Sequence, residues 1–440
     1  GNTAGNRGGG IFNYSGTTTV SNSIVAGNTL TAGTDSDIAA AGTRNIEGTV
    51  TGRFNLIGTG GSGGLTNGTG GNIVGVDWTT VLLNDGTIPI LADNGGPTQT
   101  IALVAGSPAI NAGSNQLATD DGTSTGTTLV NDQRGRPFVR IVGDTVDIGA
   151  FENANTAPVK AVAPPTFPVL SAITVNTTLD AVDATDGLTS LREAINQTNT
   201  NLTGGAYTIS FGDGSAIVGG TNFTDATLDT ITLGGTELLI TGAVTITGPG
   251  ADLLTIDANN LSRIFHVDDL DAATQIVVGI DGLTLTGGNA GKGGAIYTRE
   301  DLTVSNSTIS GNTAGNHGGG IYNFLGTTTV SNSTISGNTA GNRGGGIYNR
   351  SGTTTVSNST VSGNTASFGG GGIYHNRGTT TVSNSTISGN TAGNRGGGTY
   401  NFKGTTTVSN STVSGNTAGN RGGGIYDRKD TTTVSNSTVS

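Results

Sequence analysis

Asp180, Asp183 and Asp186 stand at a three-residue step just before Gly187. Clustered carboxylates on a loop suit a hard cation such as Ca²⁺, which prefers oxygen ligands. The spacing is not that of an EF-hand, and aspartate also builds turns through its own side chain. This trio is the candidate metal site, with calcium as the candidate ion; no other cofactor is expected. Asp257, Asp281, Arg263 and His266 are the best candidates for acid–base chemistry. Polysaccharide lyases and hydrolases need carboxylates converging on one strand face, often with a basic residue. Asp257 and Asp281 are 24 positions apart, close to one period of the repeat described below. Within the repeats, Glu300, Asp301, Asp427 and Asp430 do not recur at the period. The expectation is therefore not an enzyme. His266, His317 and His375 share no ligand spacing.

The elements that must carry these residues follow from one phrase. Val304, Val330, Val356, Val382, Val408 and Val434 are evenly spaced, each 26 positions after the last. Each sits inside a short β-branched run such as Thr-Thr-Thr-Val-Ser. Short apolar segments separated by Gly and Asn read as strands and corners, and no stretch there has helical period. The expected fold is all-β: a right-handed parallel β-helix, a solenoid of about 26 residues per rung with a short capping helix. Equivalent residues then stack at about 4.8 Å. Asn306, Asn332, Asn358, Asn384, Asn410 and Asn436 form one expected ladder, and Asn312, Asn338, Asn364, Asn390 and Asn416 another. Tyr322, Tyr348, Tyr374, Tyr400, Tyr426 and Phe12 form an aromatic column beside Arg343, Arg395, Arg421 and Arg7.

The repeat also reads through the termini. Val434 plus 26, less the length of 440, gives Val20, and Val439-Ser440 followed by Gly1-Asn2 restores the phrase of the interior repeats. Gly1, Asn2, Val20, Val434, Val439 and Ser440 are thus candidate assembly ends, with Ser440 of one copy expected against Gly1 of the next, by peptide bond or by docking. The expected organisation is 1–152, the C-terminal part of a β-helix module with a closing unit; 153–170, a Pro-rich linker; and 171–440, a capping helix and the N-terminal part of the next module. Ser190 to Glu193 makes a capping box for that helix, expected to cover a coil starting near 205.

Cys and Met are absent, so neither disulfides nor thiolate metal sites are available. The net charge of −11 is uneven: residues 291–440 carry +6, residues 1–29 carry +1 and residues 30–290 carry −18. An acidic total disfavours nucleic acid as a partner. No apolar run is long enough to span a bilayer.

Ser190-Leu191-Arg192-Glu193-Ala194 resembles the CSLREA domain that opens many secreted bacterial β-helix proteins, with Thr189 in the place of the usual Cys. The Gly-Gly-Gly-Ile-Tyr-Asn phrases are similar to repeats of polymorphic outer-membrane adhesins. Leu91–Thr98, Gly106–Gly113, Asp132–Gly135 and Asp147–Glu152 resemble the choice-of-anchor Q domain. The resemblance implies an exported, extracellular or cell-surface protein. It implies a structural unit of a filament or giant surface protein, whose partners are copies of itself end to end. The alternatives are an adhesin for glycans or cell surfaces and, behind it, a polysaccharide lyase or hydrolase.

Overall fold

The strand Thr379–Ser383 shows how the repeat folds. Thr380 and Val382 point inward and are buried, while Thr379, Thr381 and Ser383 face out. Period-two alternation with one buried face is what a strand on a coil demands. The corner that follows is Asn384, at φ 49°. Asparagine tolerates this left-handed conformation better than other residues with a side chain.

The computed structural model describes residues 1–34, 36–40, 48–118, 131–134, 138–141, 145–153, 171–183, 185–200, 207–271 and 274–440. The expected linker 153–170 lies outside them except for Asn153. The chain forms a parallel β-solenoid of about 26 residues per turn, and its residues divide into two compact units. One takes 162–341 and 346–354; the other takes 1–161, 342–345 and 355–440.

In the first unit the coil begins earlier than 205. The strand Ser171–Val175 already pairs in parallel with Tyr207–Phe211. The helix Leu191–Asn199 is inserted between those two strands. Ser190 and Glu193 close its capping box, and Leu191, Ala194 and Ile195 are buried. The early turns are also longer or shorter than the repeat. Ile246 pairs with Ile280 and Ile280 with Val304, one turn longer and one shorter than the Val304–Val330 turn that follows.

In the second unit the coil runs through the termini. Val382 pairs with Val408, Val408 with Val434, and Val434 with Val20. Thr417 pairs with Thr3, and Val439 with Val25. Gly363 and Gly389 donate backbone hydrogen bonds to Ser388 and Ser414 at 3.0 and 3.1 Å; Gly415 makes the same bond to Ser440 at 3.2 Å. Ser440 and Gly1 thus occupy successive positions of one coil. The seam expected between copies is formed here within a single chain.

After its last turn the chain folds back along the coil's flank. Val81, Leu82, Ile101, Leu103, Ala109 and Ile148 pack on Ile24, Ala26 and Leu56. The stretch expected to close an end therefore lies against the side of the solenoid, over the sheet that contains Thr386–Ser388, Thr412–Ser414 and Ile24–Val25.

Candidate functional site

Polar side chains gather at three places. The first is on the early coil. Arg263 pairs with Glu237, and His266 Nδ1 lies 2.8 Å from Glu237 Oε1. His266 Nε2 is 3.9 Å from Asp268 Oδ2, and Arg299 Nε is 3.8 Å from the same oxygen. The His266 hydrogen bond holds Glu237 below the usual carboxylate range. Asp268, Asp269 and Glu300 bring carboxylate oxygens within 4.8 Å of one another, an oxygen set suited to a hard cation. Burial pushes the Glu300 carboxyl up, against hydrogen bonds from the Ile276 and Asp269 amides. A cavity of about 90 Å³ beside it is lined by Asp271, Gln275, Arg299, Glu300 and Leu325.

This group brings together Arg263 and His266 but neither expected acid. Asp257 ends a strand paired with Thr284–Thr286, whereas Asp281 ends one paired with Asp301–Ser305. The two lie on different sheets, because the turns here do not keep one common step. Asp257 accepts from the Asn259 amide, and Asp281 from Ser305 and Asn306. The acids that do meet are not spaced at the period of the repeat. Asp269 and Glu300 are 31 positions apart, the same step as that between the paired His266 and Tyr297.

The calcium candidates are each engaged separately. Asp180 accepts from Arg192 Nε at 2.8 Å and from the Gly234 amide at 2.7 Å. Asp183 caps Thr185, whose hydroxyl and amide hold that carboxyl below its ordinary value. Asp186 accepts from the Leu188 amide. Among the described residues, the triple with converging ligand atoms is Asp268, Asp269 and Glu300 rather than this trio.

The second place is the asparagine columns. Asn364 donates to Asn390 Oδ1 from both its amide and its Nδ2, at 3.0 Å each. Asn390 repeats this toward Asn416 at 2.9 Å, and Asn416 toward Asn2 at 2.8 Å, across the seam. Asn2 continues to Asn28, and Asn28 ends the column on Asp37. All of these asparagines are fully buried. The corner column behaves differently. Asn306, Asn332, Asn358, Asn384, Asn410, Asn436 and Asn22 all hold φ between 46° and 49°. Asn410 does donate to Asn384, but Asn410, Asn436 and Asn22 also donate to the Asn131, Leu117 and Ser114 carbonyls. The corner residues thus anchor the folded-back segment. Gln133 joins them by donating to the Thr386 hydroxyl and accepting from the Thr412 hydroxyl.

The third place is the aromatic column. Tyr322 stacks on Tyr348 at 5.0 Å, and Phe12 on Tyr426 at 5.6 Å across the seam. These rings are at most 3% exposed, so they are not open platforms. Arginine covers them: Arg343 lies 5.4 Å from the Tyr374 ring centre, and Arg421 lies 5.5 Å from that of Phe12. His317, which takes an Arg position, stacks on Tyr348 at 4.6 Å. His375 replaces an inward Asn, bonded to Thr380 and the Gly378 carbonyl; burial pushes its pKa down to about 4.

Residues 332–350 and 410–428 match the Chlamydia polymorphic membrane protein repeat. Each stretch runs from the corner asparagine through the Gly-Asn-Thr-Ala turn to the Ile-Tyr strand, that is, from one sheet around to the aromatic face. No curated protein and no solved structure matches the chain.

Proposed function

We propose that this chain is the structural repeat unit of an extracellular filament or giant cell-surface protein, in which β-solenoid turns continue from copy to copy. The seam carries this reading. Residues 438–440 and 1–4 hold the register and the asparagine ladder of an ordinary interior turn. Exposed strand ends left open would be sites of uncontrolled pairing. In a tandem array the 171–440 part of one copy and the 1–152 part of the next would complete one module. In an isolated chain the same surfaces close on themselves, because tethered ends meet at high effective concentration. The matched repeat belongs to a family of membrane proteins, which supports a surface location. The divergence of Asp257 and Asp281 supports a mechanical rather than a catalytic role.

The test uses the absence of native cysteine. Thr3→Cys and Thr417→Cys occupy paired positions on neighbouring strands, within disulfide reach. Refolding of the doubly substituted chain at rising concentration should shift the disulfide from within one chain to between chains, giving a ladder of covalent multimers. Disulfides confined to single chains at every concentration would refute assembly by docking. An array fused by peptide bonds should show regularly spaced rods by electron microscopy, and irregular aggregates would count against it.

A further inference from the structure

We infer that the aromatic face of the second unit binds an acidic polysaccharide through a stripe of cations that crosses the seam. From Phe368 to Ser440 and on to Leu30 the chain carries seven Lys/Arg and two Asp, in a protein of net charge −11. The cations fall into two columns on successive turns. Arg395, Arg421 and Arg7 stack on one edge, each bridged to the next. Arg377, Lys403 and Lys429 share a left-handed corner on the other edge, with φ of 63°, 61° and 82°. Arg428 stands between the columns. Asp427 is fully buried and accepts a hydrogen bond from Asn401.

Among the described residues, none of the ion pairs involves any of these cations. Rings hold four of them in place: Arg395, Lys403, Arg421 and Arg428. Arg395 lies 5.8 Å from the Phe368 ring centre, Arg421 lies 5.8 Å from Tyr14, and Arg428 lies 5.2 Å from Phe402. The Nε–H groups of Arg395, Arg421 and Arg428 are buried and have no acceptor. Ring contact orients the guanidinium groups of Arg395, Arg421 and Arg428 and leaves their charge unneutralised.

The occupant follows from shape and chemistry. Four turns at the strand spacing make a stripe about 14 Å long with cations on both edges. Phe402 and Tyr14 are partly exposed beside Arg428, and Phe368 beside Arg395. A linear polyanion matches the columns, and sugar rings match the aromatic faces. The other source of negative charge is residues 30–290 of a second copy. Many of those aspartates are already committed to turns, as Asp213 and Asp225 are with Ser215 and Thr227, so the polysaccharide is favoured.

The experiment is affinity electrophoresis of the full chain in gels containing polygalacturonate or chondroitin sulfate, with neutral dextran and inorganic polyphosphate as controls. Both acidic polysaccharides should retard the chain at low salt, dextran should not, and added salt should release it. Combining Arg395→Gln, Lys403→Gln, Arg421→Gln and Lys429→Gln should weaken binding about tenfold or more, as loss of four modest contacts implies. Arg53→Gln, outside the stripe, should leave it unchanged. Phe402→Ala should weaken polysaccharide binding more than polyphosphate binding. Lys403→Gln alone, whose ammonium is not packed in the core, repeats the test should the quadruple variant fail to fold. The proposal is overturned by absence of retardation at low salt. Equal loss in Arg53→Gln, or self-association that the quadruple variant abolishes in place of polysaccharide binding, overturns it as well.

Discussion

Joining Ser440 to Gly1 by a peptide bond should stabilise the fold, and the gain should depend on pH in a defined way. The perturbation is a circular permutant that starts at residue 171, runs through Ser440–Gly1 and ends at residue 153. In the parent, burial pushes the Gly1 amine from 8.0 down to about 6. The unfolded parent takes up a proton near its free value, while the folded parent does so only near 6. Between those values the unfolded state binds more protons, so parent stability rises with pH, and the penalty is complete below 6. Two units correspond to about 2.7 kcal/mol, discounted to about 2 kcal/mol because Gly1 keeps partial access to water. The permutant has no amine at this position. Urea unfolding of both chains at pH 5.5, 7.0 and 8.5 measures the difference; all titrations common to the two cancel. The permutant's advantage should be larger at pH 5.5 than at pH 8.5, by about 2 kcal/mol. Parallel stability curves would refute the buried seam.

His375 gives a second pH effect of the same sign. Its pKa falls from 6.5 unfolded to about 4 folded, so stability is lost as pH drops through that window, by about 3 kcal/mol at the limit. His375→Asn, which restores the residue of neighbouring turns, should remove that acid sensitivity in melts between pH 7 and 4. Asn390→Ala should cost about 2–3 kcal/mol in urea unfolding, because it removes the acceptor of the buried Asn364 amide and the donor to the Val361 carbonyl. Asn358→Gly should be near neutral and Asn358→Val should cost about 1–2 kcal/mol, since φ there is 48°. Ile24→Thr, which restores the repeat, should cost about 2 kcal/mol and loosen the folded-back segment, measured as faster proteolysis between residues 76 and 118.

The solenoid was legible because its code is local and repeated. A valine at the same place in every repeat states the period, and the capping box around Ser190 states a helix start; both stand in the structure. Sites were legible only where the period held. The spacing of Asp257 and Asp281 suggests one rung, but the early turns do not keep that step, and Asp269 and Glu300 escape notice for the same reason. The turn from Ile280 to Val304 is shorter than the repeat and the turn from His266 to Tyr297 is longer, so no single step places side chains there. The role of the corner asparagines was half visible. Their φ could be expected from residue type, but the hydrogen bonds of Asn410 to Asn131 and of Asn436 to Leu117 join positions hundreds apart in sequence. Residue type alone places the arginine column toward solvent, whereas the Arg343 and Arg421 guanidinium groups rest on rings contributed by another turn.

A perfect repeat could pair with itself at any turn, so the seam needs departures from the repeat to fix its register. The structure holds several at or beside it. The inner asparagine column ends where Asp37 replaces the next asparagine, and Asp37 Oδ1 accepts both donors of Asn28. Phe12 replaces Tyr426's counterpart and stacks flat, with an interplanar angle of 11°, whereas Tyr400 meets Tyr426 at 86°. Ile24 and Ala26 stand where earlier turns carry Thr438 and Ser440, and they form the apolar floor on which Ile148 and Leu82 pack. Gly149 comes close enough to Ile24 that a Cβ would sit 2.9 Å from its side chain. A slip by one turn would place threonine and serine hydroxyls under that apolar segment and leave Ile24 outside it. Each misplaced hydroxyl would be buried without its usual partner, at about 1–3 kcal/mol. The repeated phrase therefore makes the coil, and its exceptions decide which turn meets which.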